Sequence, residues 1–172
     1  LSGLLYADQD IADAAESDLK KKFGEFAEMT EPVLFTHTQY YSDELGERVF
    51  RKYIVFNKTI RPDAITKIKI QTNGLERKYA RGGKRLVNID PGYMHLAKIV
   101  LASTKDFSHR IYIGRGIFAE VTLMYVNKSF QTLPWTYPDY KNPATIEFFN
   151  SVRAAWYNRL RAAKRKEDMY AE

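Results

Sequence analysis

The most chemically versatile side chains of the chain crowd into one stretch, Arg85 to Tyr140. Asn88 and Asp90 close an apolar run. Lys105, Asp106, His109 and Arg110 fall within six residues of one another, and Glu120 interrupts an otherwise apolar strand pattern. A histidine titrates near neutrality. A carboxylate in apolar surroundings can orient that histidine or take a proton itself. Lysine and arginine stabilise negative charge of the kind that develops on a phosphate. His109, Glu120 and Asp90 are therefore the candidate acid–base set of a phosphoester-processing enzyme, with Lys105 and Arg110 as its cations. The same residues have a structural alternative. Asp90 would cap a turn at Pro91-Gly92, Glu120 would pair with an arginine such as Arg110, and His109 would be an ordinary hydrogen-bonded side chain.

Binding is the second chemistry available. Cations meet phosphates, and aromatic rings stack on bases. Arg51, Lys52, Arg85, Lys105 and Arg110 are the candidate phosphate ligands, among further basic residues at Arg48, Lys67, Lys69, Lys78 and Lys84. Tyr40, Tyr41, Trp135 and Tyr137 are the candidate stacking rings, and RNA or a nucleotide the expected partner. No RNA-recognition signature of the K/R-G-F/Y-G/A-F-V-x-F/Y type is present. The segment Leu133-Pro134-Trp135-Thr136-Tyr137-Pro138-Asp139-Tyr140 also reads as a rigid packed loop whose prolines fix the backbone.

Two further chemistries find little in the chain. A phosphate loop needs G-x-x-x-x-G-K-[ST], and no segment fits. Arg81-Gly82-Gly83-Lys84-Arg85 lacks the hydroxyl after its lysine, and Thr104-Lys105-Asp106 lacks one residue of the guanine-reading T-K-x-D. His37, His95 and His109 are scattered and form no H-x-x-x-H pair, so the residues predict no metal site of that type. A magnesium ion held by Asp90, Asp106 and Glu120 would suit a hard cation. It requires the fold to gather all three.

The elements that must position these residues follow from periodicity and turn chemistry. Leu4–Ala7 reads as a strand, followed by a helix capped by Asp8 or Asp10 and striped by Ile11, Ala15, Leu19 and Phe23. Lys20-Lys21-Lys22 suits that helix's last turn, and Gly24 its end. Strands are expected at Val33–Thr38 and Val49–Phe56. A second helix begins at Pro62, carries its stripe on Ile65, Ile68, Thr72, Leu75 and Tyr79, and ends at Gly82-Gly83. Leu86–Ile89 is a fourth strand, ended by the Pro91-Gly92 turn. The order βαββαβ is the split pattern of a ferredoxin-like sandwich, an antiparallel sheet covered by two helices on one face.

The rest of the chain extends this core. Leu96–Ala102 is short and apolar, compatible with strand or helix. Ile111–Ile113 and Ile117–Tyr125 flank Gly114-Arg115-Gly116 as a β-hairpin. Both faces of its second strand are apolar, which implies a central strand and a partnered Glu120. A final helix from about Ala144 to Lys166 places Ile146, Phe149, Val152, Trp156, Leu160 and Ala163 inward. Arg153, Arg159, Arg161, Lys164, Arg165 and Lys166 make its outer surface basic. The expected fold is a single α+β domain over 1–172. Its ferredoxin-like core spans 1–90, and its extension of hairpin, aromatic loop and C-terminal helix spans 91–172.

Composition sets the limits. A chain of 172 residues, 45% hydrophobic and 14% aromatic, buries a real core and is not a disordered segment. It has no cysteine, which suits a reducing cytoplasm. No apolar run approaches the ~20 residues of a membrane-spanning helix. The sequence opens at Leu1 without an initiator methionine, inside an expected strand, so preceding residues are expected. The net charge of +6 is unevenly spread. Residues 1–47 hold eleven acidic and three basic side chains, residues 48–85 twelve basic and two acidic, and the remainder twelve basic and eight acidic. This polarity makes either a phosphate-binding face or two segments that neutralise each other on folding.

Longer phrases carry a family likeness. NIDPGY, KIVLASTK, HRIYIG-x-GI-x-AE-x-TL-x-Y and LPWTYPDY, with Thr38-Gln39-Tyr40-Tyr41, Glu44-Leu45-Gly46 and Ile70-Gln71-Thr72-Asn73-Gly74-Leu75-Glu76 upstream, cover nearly the whole chain. They resemble a bacterial family catalogued as domain of unknown function 4416, whose members often carry the label "GTP-binding protein". The resemblance implies the label but no activity. The residues themselves point to a protein binding a phosphate-bearing ligand, RNA or a nucleotide. A phosphoester-processing enzyme and a scaffold acting through protein contacts, homo-oligomer included, are the alternatives.

Overall fold

The structure is a computed structural model that describes residues 1–36, 45–46 and 48–169, with side chains to residue 165. It is an α+β protein with a large antiparallel sheet of nine strands and three helices among the described residues. The strands are β1 (Ser2–Tyr6), β2 (Phe26–Met29), β3 (Val33–Leu34), β4 (Phe50–Phe56), β5 (Val87–His95), β6 (Lys98–Ser103), β7 (Ile111–Gly114), β8 (Ile117–Val126) and β9 (Ser129–Thr132). The helices are α1 (Gln9–Phe23), α2 (Ile65–Lys78) and α3 (Pro143–Met169). Hydrogen-bonded neighbours run β2-β4-β1-β5-β6-β8-β7, with β3 on β4 and β9 on β8. By compactness the chain divides into Leu1–Tyr93 with Val100–Val121, and Met94–Ile99 with Thr122–Glu172.

In the first unit β1 is the axis. It pairs antiparallel with β4 on one side and β5 on the other, so Leu4 faces both Lys52 and Ile89. Alternate residues of a strand point to opposite faces, and the two faces have different fates. Leu4, Tyr6, Ile54, Val87 and Ile89 pack with Ala12, Ala15 and Leu19 of α1 into the main core, against which Leu75 and Tyr79 are also packed. Leu5, on the other face, packs with Leu45 and Val49. Asp8 caps α1, its carboxylate accepting from the N–H groups of Asp10 and Ile11. Asp18 of α1 accepts from Tyr79 Oη at 2.7 Å and from Lys78, which ties α1 to the end of α2.

Several boundaries differ from the sequence reading. The strand expected at Val33–Thr38 is limited to Val33–Leu34 within the described residues. The strand Phe26–Met29, just after Gly24, was not anticipated. Thr30 interrupts these two partners of β4: its N–H donates to Tyr53 O and its hydroxyl accepts from Tyr53 N–H. The second helix begins with a 3-10 turn at Pro62–Ala64 and ends at Lys78, before Gly82-Gly83. Those two glycines instead turn the chain between Arg81 and Lys84. Of Leu96–Ala102, the first two residues form the turn that follows β5 and the rest is strand, within β6.

The largest correction is at Pro91-Gly92, which is no turn. β5 runs straight through to His95. Gly92 N–H donates to Leu1 O, so the missing N–H of Pro91 falls on the other side of the pleat, away from β1. Gly92 is required by a close approach. A Cβ there would lie 2.4 Å from Val100 O and 2.6 Å from Leu101 Cδ2. Glycine in a strand often marks a backbone that comes too near for a side chain.

The β7–β8 hairpin forms as expected. Arg115 and Gly116 both have positive φ, 58° and 74°, the geometry of a two-residue type I′ turn. In the second unit, β8 and β9 are joined by a similar turn at Asn127-Lys128, φ 52° and 64°. Phe130 N–H donates to Asn150 Oδ1 of α3 at 2.9 Å, and Phe149 stacks on Tyr140 with centroids 5.8 Å apart.

Candidate functional site

The expected catalytic residues and most of the expected phosphate ligands separate into two clusters of the first unit. The first is built on β5. Because Val87 and Ile89 point into the core, Asn88 and Asp90 must point to the opposite face. Arg51 of β4 shares that face and reaches Asp90 Oδ2 at 3.4 Å. Gly3 of β1 stands in register between Tyr53 and Asp90, and Leu5 between Arg51 and Asn88. Asn88 Nδ2 donates to Asp90 Oδ2 at 2.8 Å, and Arg85 donates to Asn88 Oδ1 at 2.8 Å.

Two residues of α2 complete this cluster: Glu76, which the sequence reading left out, and Lys69, which it counted only among the further basic residues. Both are buried. Glu76 accepts the Ile89 N–H at 2.7 Å, and Lys69 donates to the Ile89 carbonyl at 2.9 Å. Arg85 meets Glu76 at 3.2 Å, and Lys69 lies 3.9 Å from both Glu76 and Asp90. Burial raises the Glu76 pKa above the ordinary carboxylate value, outweighing Lys69, the Ile89 N–H and Arg85, which all lower it. The signal for these two was their spacing. Ile65, Lys69, Thr72 and Glu76 follow the 4-3-4 rhythm of a buried helical face. Reading that face through its apolar members alone hid the two charges.

The second cluster is the loop Ser103 to Arg110, between β6 and β7. Glu120 lies on β8, which has β6 and β7 as neighbours, and its side chain is 1% exposed. It accepts from Arg110 Nε at 2.8 Å and contacts His109 Nε2 at 3.2 Å. The Arg110 guanidinium, 3% exposed, also donates to Ser103 Oγ at 3.2 Å and to Lys105 O at 2.9 Å. The loop is thus wrapped around one arginine, which one buried carboxylate holds in place. Its outer surface carries Thr104, Lys105, Asp106, Phe107 and Ser108, all exposed. Phe107 is 55% exposed. Its ring stacks at 14° on His109, centroids 6.0 Å apart, and the Arg110 guanidinium lies 4.8 Å from its centroid.

The expected constellations are therefore regrouped. His109 and Glu120 meet. Asp90 has Asn88, Arg51 and Lys69 as its side-chain partners. Among the five candidate phosphate ligands, Arg51 pairs with Asp90, Arg85 with Glu76, and Arg110 with Glu120. Lys52 points to the helix side, donating to Glu16 of α1 at 2.7 Å. Lys105 alone of the five is exposed. Of the stacking candidates, Tyr40 and Tyr41 lie outside the described residues, as do His37, Thr38, Gln39, Asp43, Glu44 and Glu47 of the same segment. Trp135 and Tyr137 belong to the second unit and are partly exposed. Their loop is pinned by Thr136, whose hydroxyl donates to Thr122 O at 2.6 Å and accepts from Leu133 N–H at 2.7 Å. Phe107 was missed because only the polar side chains of its segment were read for chemistry. Its exposure is a tertiary fact.

Among the described residues no group of three or more His, Cys, Asp or Glu is placed to hold a metal ion. Asp90 and Glu120 are bound to separate cations, and Asp106 is exposed on the loop. No helix among these residues is long and apolar enough to cross a membrane.

Fold and site together define an α+β protein with one largely buried ion network and one charge-anchored loop at the surface. Residues 1–156 match the family described as Domain of unknown function (DUF4416), and the chain belongs to that family. No curated protein and no solved structure is detectably similar to it.

Proposed function

We propose that the protein binds a phosphate-bearing ligand, a nucleotide or RNA, at the Ser103–Arg110 loop. The observation that carries this is the Phe107 ring, presented to solvent yet held by His109 and Arg110. An aromatic face exposed on a loop of fixed shape suits a base. Stacking is worth about 1–3 kcal/mol per base, and a preorganised platform loses little entropy on binding. Lys105, two residues away and exposed, suits the attached phosphate. A thermal-shift panel of GTP, ATP and short RNA, each with and without magnesium, tests this. A ligand at ~100 times its dissociation constant adds about 2.7 kcal/mol, a rise of several degrees. Phe107→Ala and Lys105→Ala are expected to abolish the rise without lowering the melting temperature of the unliganded protein. A rise that survives in Phe107→Ala, or no rise with any ligand, removes the proposal.

The 3.2 Å contact of His109 with a buried Glu120 favours a second reading, phosphoester processing with His109 as acid–base group and Glu120 as its orienting carboxylate. His109→Ala would then abolish turnover of a phosphoester substrate while leaving the fold intact. The GTP label of the family has no phosphate-loop motif behind it in this chain, and the nucleotide arms of the panel decide it.

We also infer that the first unit contains a ferredoxin-like core. The order β2-β4-β1-β5, with α1 linking β1 to β2 and α2 linking β4 to β5, supports it. An experimental structure with a different order of these four strands would exclude it.

A further inference from the structure

Half of the twelve cations expected to form a basic face at residues 48–85 are paired with carboxylates among the described residues. Arg51, Lys52, Lys69, Lys78, Arg85 and Arg110 all have carboxylate partners. The chain carries a net +6, and besides the exposed cations left in that segment, α3 holds a dense set of its own. Its first half packs in its own unit, with Phe149 and Val152 buried. Arg153, the first arginine of the helix, is engaged there: Nε donates to Leu96 O at 2.6 Å, and the guanidinium lies 3.3 Å from the Tyr125 ring centroid. From residue 157 to residue 165 every side chain is exposed. Arg159, Arg161, Lys164 and Arg165 fall in this half, and among the residues whose side chains are described, to residue 165, no carboxylate pairs with them. At 3.6 residues per turn, Lys164, Arg161 and Arg165 cover an arc of about 100°, with Arg159 on the other flank of Trp156, Leu160 and Ala163.

We propose that the outer half of α3 is a second, separate binding surface, fitted to the phosphate backbone of a nucleic acid and indifferent to its sequence. Three of the four cations are arginines, whose planar fork matches phosphate oxygens in pairs. A lipid surface fits less well. Beyond Val152 the apolar stripe is only Trp156, Leu160 and Ala163, whereas a helix lying in a membrane needs a broad apolar face to insert. A helix this exposed gains little from packing, and a polyanion laid along its charges would both order it and release counterions.

The test is fluorescence anisotropy with a short labelled DNA duplex and a short labelled RNA. The protein is compared with a variant carrying Arg159→Gln, Arg161→Gln, Lys164→Gln and Arg165→Gln. Engagement of all four cations gives a slope of log affinity against log salt of about −3.6 on the duplex and about −2.8 on a single strand. The variant is expected to lose at least tenfold in affinity and most of that slope, with an unchanged circular dichroism spectrum. Its thermal shift with nucleotides should also persist, because Phe107 and Lys105 are intact. The proposal is overturned if neither probe binds the unmodified protein at low salt. It fails equally if the variant binds as well, or if phosphatidylserine vesicles bind the protein and nucleic acids do not. A nucleotide shift that survives in Phe107→Ala, or no shift with any nucleotide, sinks the loop site and leaves this one standing.

Discussion

The β5 network and the Ser103–Arg110 loop are built from the same side chains in opposite ways. Around β5, Arg51, Lys69, Glu76, Arg85, Asn88 and Asp90 turn inward on one another and on the backbone of Ile89. In the loop, one arginine and one carboxylate are buried so that lysine and phenylalanine are held at the surface. A charge that completes a network is structural, and a charge that anchors a loop frees its neighbours to meet a ligand. Burial costs a charge several kcal/mol unless its partners are complete, so the first arrangement is intolerant of change and the second is tolerant at its rim.

That contrast is sharpest at Glu76. Glu76→Ala leaves the Ile89 N–H without its acceptor and deprives Lys69 and Arg85 of a counter-charge. The expected loss is about 3–5 kcal/mol, readable as a lower urea midpoint with unchanged slope. A loss under about 1 kcal/mol would show the network to be open to water. Glu120→Ala tests the anchor. It strips Arg110 and His109 of a buried partner, with an expected cost of about 2–3 kcal/mol, together with loss of any ligand response of the loop. If stability falls but the ligand response survives, the anchor is not what presents Phe107.

The pH dependence separates the regions further. A carboxyl whose folded pKa is raised binds its proton more tightly in the native state. Its stabilising contribution is therefore present at low pH and declines as pH rises through the window above the ordinary carboxylate value. Glu76 is such a group. The stability of the wild type relative to Glu76→Gln should fall as pH is raised from about 4.5 toward neutrality. A difference that is flat or rises would place Glu76 in better-solvated surroundings. Asp18 has the reverse sign, because hydrogen bonds from Lys78 and Tyr79 lower its pKa. Its contribution is lost as pH falls below the ordinary value. The smallest effect belongs to the rim: Phe107→Ala should change stability by no more than about 0.5 kcal/mol, and a larger loss would make Phe107 part of the core.

Much of this was legible in the residues. Periodicity placed α1, α2, α3, β1, β4 and the β7–β8 hairpin. The apolar pattern on both faces of residues 117–125 called for a partnered Glu120, and Arg110 is that partner. Pro91-Gly92 misled because its chemistry is shared by turns and by close strand contacts. Only the nearness of Val100 O decides between them. Lys69 and Glu76 were hidden because a helical face was read by hydrophobicity, although position alone had marked them.

What the sequence determined by itself is local: which segments alternate, which recur every three to four residues, where helices are capped and where two glycines make a hairpin. These depend on neighbours in the chain, and neighbours are what a sequence lists. The pairing of charges was settled by the tertiary structure alone. Arg51 and Asp90 are 39 residues apart, and Lys52 and Glu16 are 36 apart. Whether an arginine meets a carboxylate at such separations depends on strand order and register. Only the folded chain shows that Arg51, Lys52, Lys69, Lys78 and Arg85 of the basic segment are paired with carboxylates, while Arg159, Arg161, Lys164 and Arg165 of α3 are exposed.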